Sequence, residues 1–256
     1  MTEKKETNPW EKYQGYTAAR IGLKRSGGSI GTSEMLKFRY DHAKARDAVW
    51  TNCNFSNIQA ELSKWLPTYI LRSKARTREE YLLRPDLGRQ LDETSILSLT
   101  SLVSNEPYDL VFCIVDGLSP FAISSNLVEF MTELKDELNV YKLAPIICVE
   151  NGRVAVGDQV SEVVKAKMAI VLIGERPGLS SVDSIGAYIT FGAKTGTTDE
   201  RRNCISNIRP AGLSFDRAKV KLIYLIREAF QNQITGVGLK DRMLDSIPGK
   251  DQEQIM

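Results

Sequence analysis

The residues best able to do chemistry in this chain stand directly behind short apolar runs. Ile170, Val171, Leu172 and Ile173 pass without a spacer into Gly174-Glu175-Arg176-Pro177-Gly178, which sets a carboxylate and a guanidinium beside two glycines and a helix breaker. Asp116-Gly117-Leu118-Ser119 follows "LVFCIV" in the same way, and "NGRVAVGD" follows "PIICVE". If each run is a strand, all three segments fall at strand ends, where open α/β sheets bind ligands. One such turn often does no more than end a strand, whereas three converging on one sheet edge point to a ligand crevice. A fourth segment, "DERRNCISNIRPAGLS" (199–214), is dense in polar side chains. Its Asn203, Asn207 and Arg209 are donors suited to fixing a polar ligand or a neighbouring loop. Cys204 is read there in a loop rather than a strand. It has no general base beside it, so it fits close contact with a large planar ligand better than a nucleophilic role.

Other chemistries are poorly supplied. The chain has one histidine. A Ser-His-Asp triad, a multi-histidine metal site or a histidine-ligated cofactor would all have to use His42. His42 recurs at helical spacing with Met35, Phe38, Ala45 and Val49, which predicts a hydrogen-bonded, partly buried histidine on an apolar stripe. The four cysteines include no CxxC pair, which argues against zinc and for a reducing cytoplasm. Neither the dinucleotide fingerprint nor the P-loop occurs after any apolar run. "RSGGSIGTSE" (25–34) is glycine-rich and leads into a helical pattern, but no strand precedes it. It reads as a flexible connector rather than a phosphate cradle.

The elements that must position these residues divide into two regions. Up to about residue 105 the pattern is helical. Thr32 and Ser33 are candidate caps for the helix running to Trp50, and "SNIQAELSKW" is stopped by Pro67. "TREEYLL" carries a capping box from Thr77 to Glu80, and a further helix covers 94–103. Beyond "SNEPYD" apolar runs alternate with amphipathic helices. "LVFCIVDG", "PIICVE" and "MAIVLIG" are strands, "GAYITF" is a candidate fourth, and "SFDRAKVKLIYLIREAF" is a long terminal helix. Ser119 caps a helix with Pro120 at its favoured first position. Such alternation predicts an α/β protein with a mostly parallel sheet covered on both faces. The expectation is a helical N-terminal domain, 1–105, followed by a Rossmann-like domain, 106–256, whose polar end, 246–256, frays.

Hydrophobic residues make up 42% of the 256, enough for a sizeable core, and 34 basic residues nearly balance 32 acidic ones. That balance argues against a nucleic-acid partner bound through bulk phosphate neutralisation. No apolar run approaches the length of a membrane span, and the first fifteen residues carry no signal-peptide core.

Several of these stretches together resemble one family. "NGRVAVGDQVSE", "VLIGERPGLSSVDSIGAYIT", "ERRNCISNIRPAGLS", "YLLRPDLGRQLD" and "ITGVGLKD" are similar to the small (light) subunit of ethanolamine ammonia-lyase, over about Ala19 to Asp241. The resemblance implies an adenosylcobalamin-dependent enzyme that turns ethanolamine into acetaldehyde and ammonia by radical rearrangement. It implies a hetero-oligomer in which a large subunit binds substrate and the corrinoid lies between that subunit and this chain. Family corrinoid contacts carried over by position fall on Val154, Glu175 and Cys204, and no catalytic residue falls here. Many cobalamin-binding Rossmann domains supply an axial histidine from a D-x-H-x-x-G loop. This chain has none, so the expected mode is base-on, with no protein histidine on cobalt. The family also implies the bacterial cytoplasm, within an ethanolamine-utilisation microcompartment. Two other readings of the residues are a stand-alone nucleotide-binding Rossmann-like enzyme, which lacks a phosphate motif here, and a non-catalytic docking module.

Overall fold

A computed structural model describes residues 10–17 and 19–243; the tail expected to fray, 246–256, lies outside them. A single turn, α1 (Glu11–Gln14), is followed by a small hairpin, β1 (Arg25–Ser26) and β2 (Ser29–Ile30), and by α2 (Thr32–Trp50) and α3 (Phe55–Leu62). Then come β3 (Thr68–Arg72), α4 (Arg78–Leu83) and α5 (Glu93–Thr100). The remainder alternates: β4 (Tyr108–Val115), α6 (Pro120–Leu134), β5 (Ile146–Glu150), α7 (Val156–Val164), β6 (Ala166–Gly174), β7 (Ile185–Phe191), β8 (Asn203–Ile208) and α8 (Phe215–Asn232).

Six strands form one sheet in the order β3-β5-β4-β6-β7-β8. The first four run parallel, and β7 and β8 return antiparallel, so the expected mostly parallel α/β sheet is present. Its strands alternate side chains between two covered faces. Leu110, Phe112 and Ile114 of β4 pack with α3, α6 and α8, while Val111, Cys113 and Val115 pack with α5 and α7. Burial on both faces is why these runs are continuously apolar.

The chain places successive strands on opposite sides of β4. The α6 crossover places β5 on one side of β4, and the α7 crossover carries the chain to β6 on the other. This switch opens a crevice at the carboxyl ends of β4 and β6, where the predicted segments lie. Local signals that set these elements hold in detail. Ser119 Oγ accepts from Ala122 N at 3.2 Å with Pro120 in the first turn, and Thr77 Oγ1 accepts from Glu80 N at 3.1 Å.

Three expectations are corrected. The region before 105 is not purely helical: β1 and β2 form a hairpin where a flexible connector was expected, and β3 pairs with β5 inside the main sheet. The run "TYILR" between Pro67 and Ser73 is short but aromatic and β-branched, which suits a strand. The apolar stripe of α2 is not buried. Ala48 is its only buried residue, and His42 is exposed, its ring centroid 6.2 Å from that of Phe38. Gly31 rather than Thr32 or Ser33 occupies the cap of this helix, with no side-chain cap bond. Among the described residues, no helix is long and apolar enough to cross a membrane.

Candidate functional site

The loops leaving β4, β5 and β6 are joined by one carboxylate and two close backbone approaches. Asp116 directly follows β4 and accepts from Gly117 N at 2.9 Å, Asn151 N at 2.9 Å and Gly152 N at 3.2 Å. It thereby ties the β4 loop to the β5 loop. Arg78 Nη1 stands 3.9 Å from the same carboxylate and donates to Gly117 O at 2.7 Å. Burial raises the Asp116 pKa to about 6, the N–H donors and Arg78 only partly offsetting it. Gly117 has φ +62°, a conformation glycine adopts without a Cβ penalty. Leu118 N donates to Gly174 O at 2.9 Å, and a Cβ on Gly174 would lie 2.1 Å from Ser119 O. Glycine at the end of β6 is thus required by contact with the β4 loop.

The segment after β6 is pinned at both ends. Glu175 N donates to Ser184 O at 2.9 Å, and Ser119 Oγ donates to Val182 O at 2.6 Å. Glu175 Oε2 accepts from the Ser184 hydroxyl and from Asn207 N, the latter at 3.1 Å. No ion pair joins Glu175 to Arg176 among the described residues; the carboxylate instead ties the β6 loop to Asn207 of β8.

A cavity of about 570 Å³ opens at this edge. Val154 and Glu175 both line it, together with Tyr81, Arg153, Ile173 and Tyr188. Cys204 does not line the cavity. It lies in β8, paired in register with Tyr188 of β7, so the loop expected around it is a strand. Being the cross-strand partner of Tyr188 places Cys204 one strand beyond the cavity wall. The residue is exposed, but crowding of the sulfur raises the thiol pKa above its ordinary value, against reactivity as a nucleophile. Burial likewise raises the Tyr188 hydroxyl, with Cys204 adding to it.

Tyr81 and Arg153 were not singled out in the sequence. The Tyr81 ring lies 4.0 Å from the Arg153 guanidinium carbon and 4.6 Å from that of Arg78. Arg153 Nη2 donates to Tyr81 O at 2.8 Å. Tyr81 Oη, Arg153 Nε and Arg78 Nη2 are buried without hydrogen-bond partners. Nothing in "TREEYLL" or "NGRVAVGD" marks these side chains, because their meeting depends on how α4 sits over the β5 loop. Asn203 and Arg209, by contrast, serve neighbouring loops. Asn203 accepts from Gly236 N at 2.8 Å and donates to Leu239 O at 2.9 Å, while Arg209 lies 3.5 Å from Asp183. Behind the wall, Arg202 makes a bidentate pair with Asp158 at 2.6 and 2.7 Å, both side chains about 98% buried or more, fastening the start of β8 to α7. No cluster of metal-ligating side chains occurs among the described residues.

Comparison with known proteins agrees with the motifs. The family model described as Ethanolamine ammonia-lyase light chain (EutC) matches residues 7–240. An ethanolamine ammonia-lyase small subunit of Pseudomonas syringae pv. tomato is 44% identical over 253 residues, covering 96% of this chain and 88% of that protein. One from Pseudomonas fluorescens is 43% identical over 255 residues, covering 96% and 93%. A third, from Pseudomonas aeruginosa, is 44% identical over 239 residues, covering 91% and 88%. With its crevice motifs and nearly its whole length matched, the chain belongs to the ethanolamine ammonia-lyase light chain family.

Proposed function

We propose that this chain holds adenosylcobalamin against the large subunit of a hetero-oligomeric ethanolamine ammonia-lyase. The observation that carries the reading is the one-sided crevice at the β4–β6 switch, with Glu175 fixed on its wall and Val154 beside it. The donor set fits a corrinoid. A corrin periphery is a ring of amides, which needs acceptors and apolar surface rather than a metal-ligand cage. Glu175 supplies an acceptor, and Val154 and Ile173 supply apolar contact. Cys204 stands behind this wall, paired in register with Tyr188, which lines the crevice. With His42 exposed on α2, the crevice has no histidine to give to cobalt, which favours the base-on mode.

The bound cofactor supplies a cobalt–carbon bond that opens homolytically and starts the radical rearrangement of ethanolamine to acetaldehyde and ammonia. This chain's residues bind the ring, fix its orientation and keep water from one face, which is the protein's usual share of cofactor chemistry. The Asp116 clamp keeps the β4 and β5 loops in register, and the Ser184 and Asn207 donors keep Glu175 aimed. Substrate contacts belong to the partner. The reading places the complex in the bacterial cytoplasm, within an ethanolamine-utilisation microcompartment. Its test is co-purification of the tagged chain with the large subunit, followed by an absorbance scan after incubation with adenosylcobalamin. A corrin spectrum that stays with the complex supports the reading, and a corrin-free complex contradicts it.

A further inference from the structure

The two oxygens of Glu175 are not equivalent. Oε2 takes two donors, the buried Ser184 hydroxyl and the Asn207 N–H at 3.1 Å. Oε1 has no hydrogen-bond partner among the described residues. It lies over Gly186, where an added Cβ would come within 3.0 Å of it. Two residues on, Tyr188 lines the same cavity. The main chain is held as well, since Glu175 N donates to Ser184 O at 2.9 Å. The carboxylate therefore has one occupied oxygen and one open oxygen, in an orientation set from two sides. A carboxylate so held can only accept. Whatever settles on Oε1 must bring an N–H or O–H. A second carboxylate there would meet a like charge with neither group able to donate.

We infer that Glu175, positioned by Ser184 and Asn207, is a specificity residue that selects a corrinoid carrying a primary amide at the facing side chain and rejects the corresponding free acid. This rests on the cobalamin-holding reading and adds a chemical selectivity to it. Two corrinoids can differ only in whether one peripheral side chain is the amide or the free acid, and a site built from apolar contact alone would bind both forms. A hydrogen bond to a charged acceptor, replaced by like-charge contact, corresponds to roughly a ten- to hundredfold difference in affinity.

The test uses the full chain assembled with its large subunit, titrated with cyanocobalamin and with its three propionamide monocarboxylates, bound ligand being read from corrin absorbance after equilibrium dialysis. The wild-type complex is expected to bind at least one monocarboxylate about tenfold or more weaker than the amide. Glu175→Gln, whose amide can donate to an acid, should bring that ratio within about threefold of unity. Ser184→Ala, which frees the carboxylate to turn, should reduce it severalfold. Because the readout is a ratio between two ligands on one protein, a general loss of folded complex cancels. Equal affinity for the amide and all three acids in the wild type, or a ratio unchanged by Glu175→Gln, would overturn the selectivity and leave the cobalamin reading standing. A ratio unchanged by Ser184→Ala would overturn the positioning role of Ser184. A wild-type complex that binds no cobalamin would instead defeat the underlying reading and the selectivity with it.

Discussion

Replacing Gly174 by alanine tests the crevice wall directly. The added Cβ would stand 2.1 Å from Ser119 O, 2.6 Å from Asp116 O and 2.7 Å from Ser119 C. All three neighbours are main-chain atoms, so no side chain can swing aside. Reaching ordinary contact near 3.4 Å requires the β4 loop and the end of β6 to part by about 1.3 Å. That movement breaks the Leu118 N to Gly174 O bond at 2.9 Å and the weaker Ser119 N to Gly174 O bond at 3.4 Å. Overpacking of this kind costs about 1–3 kcal/mol, and each orphaned buried hydrogen-bonding group about 1–3 kcal/mol more. With two N–H groups orphaned the expected loss is therefore about 3–9 kcal/mol, a large part of a typical domain's stability. Denaturant unfolding of the purified chain measures it, with Gly28→Ala as the control, since nothing lies within 4 Å of a Cβ there. A Gly174→Ala midpoint equivalent to a loss below about 1 kcal/mol relative to that control would refute the close-approach reasoning.

Glu175→Ala should weaken cobalamin binding by the assembled complex about ten- to hundredfold while co-purification with the large subunit is unchanged; an unaltered dissociation constant would show that the contact lies elsewhere. Arg202→Ala leaves Asp158 buried without its partner and should cost about 3–5 kcal/mol in thermal or chemical unfolding, and a change under 1 kcal/mol would mean the pair is dispensable. Asp116 titrates near 6 when folded against an ordinary 3.8, so its neutral form is favoured by folding and its contribution to stability falls as pH rises between about 4 and 6. The stability advantage of the wild type over Asp116→Asn should accordingly shrink by up to about 3 kcal/mol from pH 4 to pH 7, and an advantage that grows over that interval would reverse the assigned direction.

Much of the fold was legible because burial on both sheet faces writes itself as uninterrupted apolar runs. β4, β5 and β6 are such runs, and the Ser119-Pro120 and Thr77–Glu80 caps lie where their chemistry predicts. The strands at the two ends of the sheet were harder. β3 has five residues, and β8 mixes exposed polar side chains with buried isoleucines at 205 and 208, so the outer strand read as a loop. The stripe on α2 had helical spacing without burial, because spacing reports which residues share a face and not whether anything covers it. The crevice was legible from its three strand ends, and Val154 and Glu175 both line it. Tyr81, Arg153 and Ser184 were not legible, since each depends on a tertiary contact: Tyr81 with Arg153, and Ser184 across the β6–β7 turn with a carboxylate whose other donor, Asn207, comes from β8.

The most direct measurement is an equilibrium titration of adenosylcobalamin into the large subunit alone, into this chain alone, and into the two mixed at equal concentration, with ethanolamine turnover followed in the same samples. Tight corrinoid retention and acetaldehyde formation only in the mixture are the predicted result. Retention and turnover by the large subunit at the same level without this chain would contradict the account.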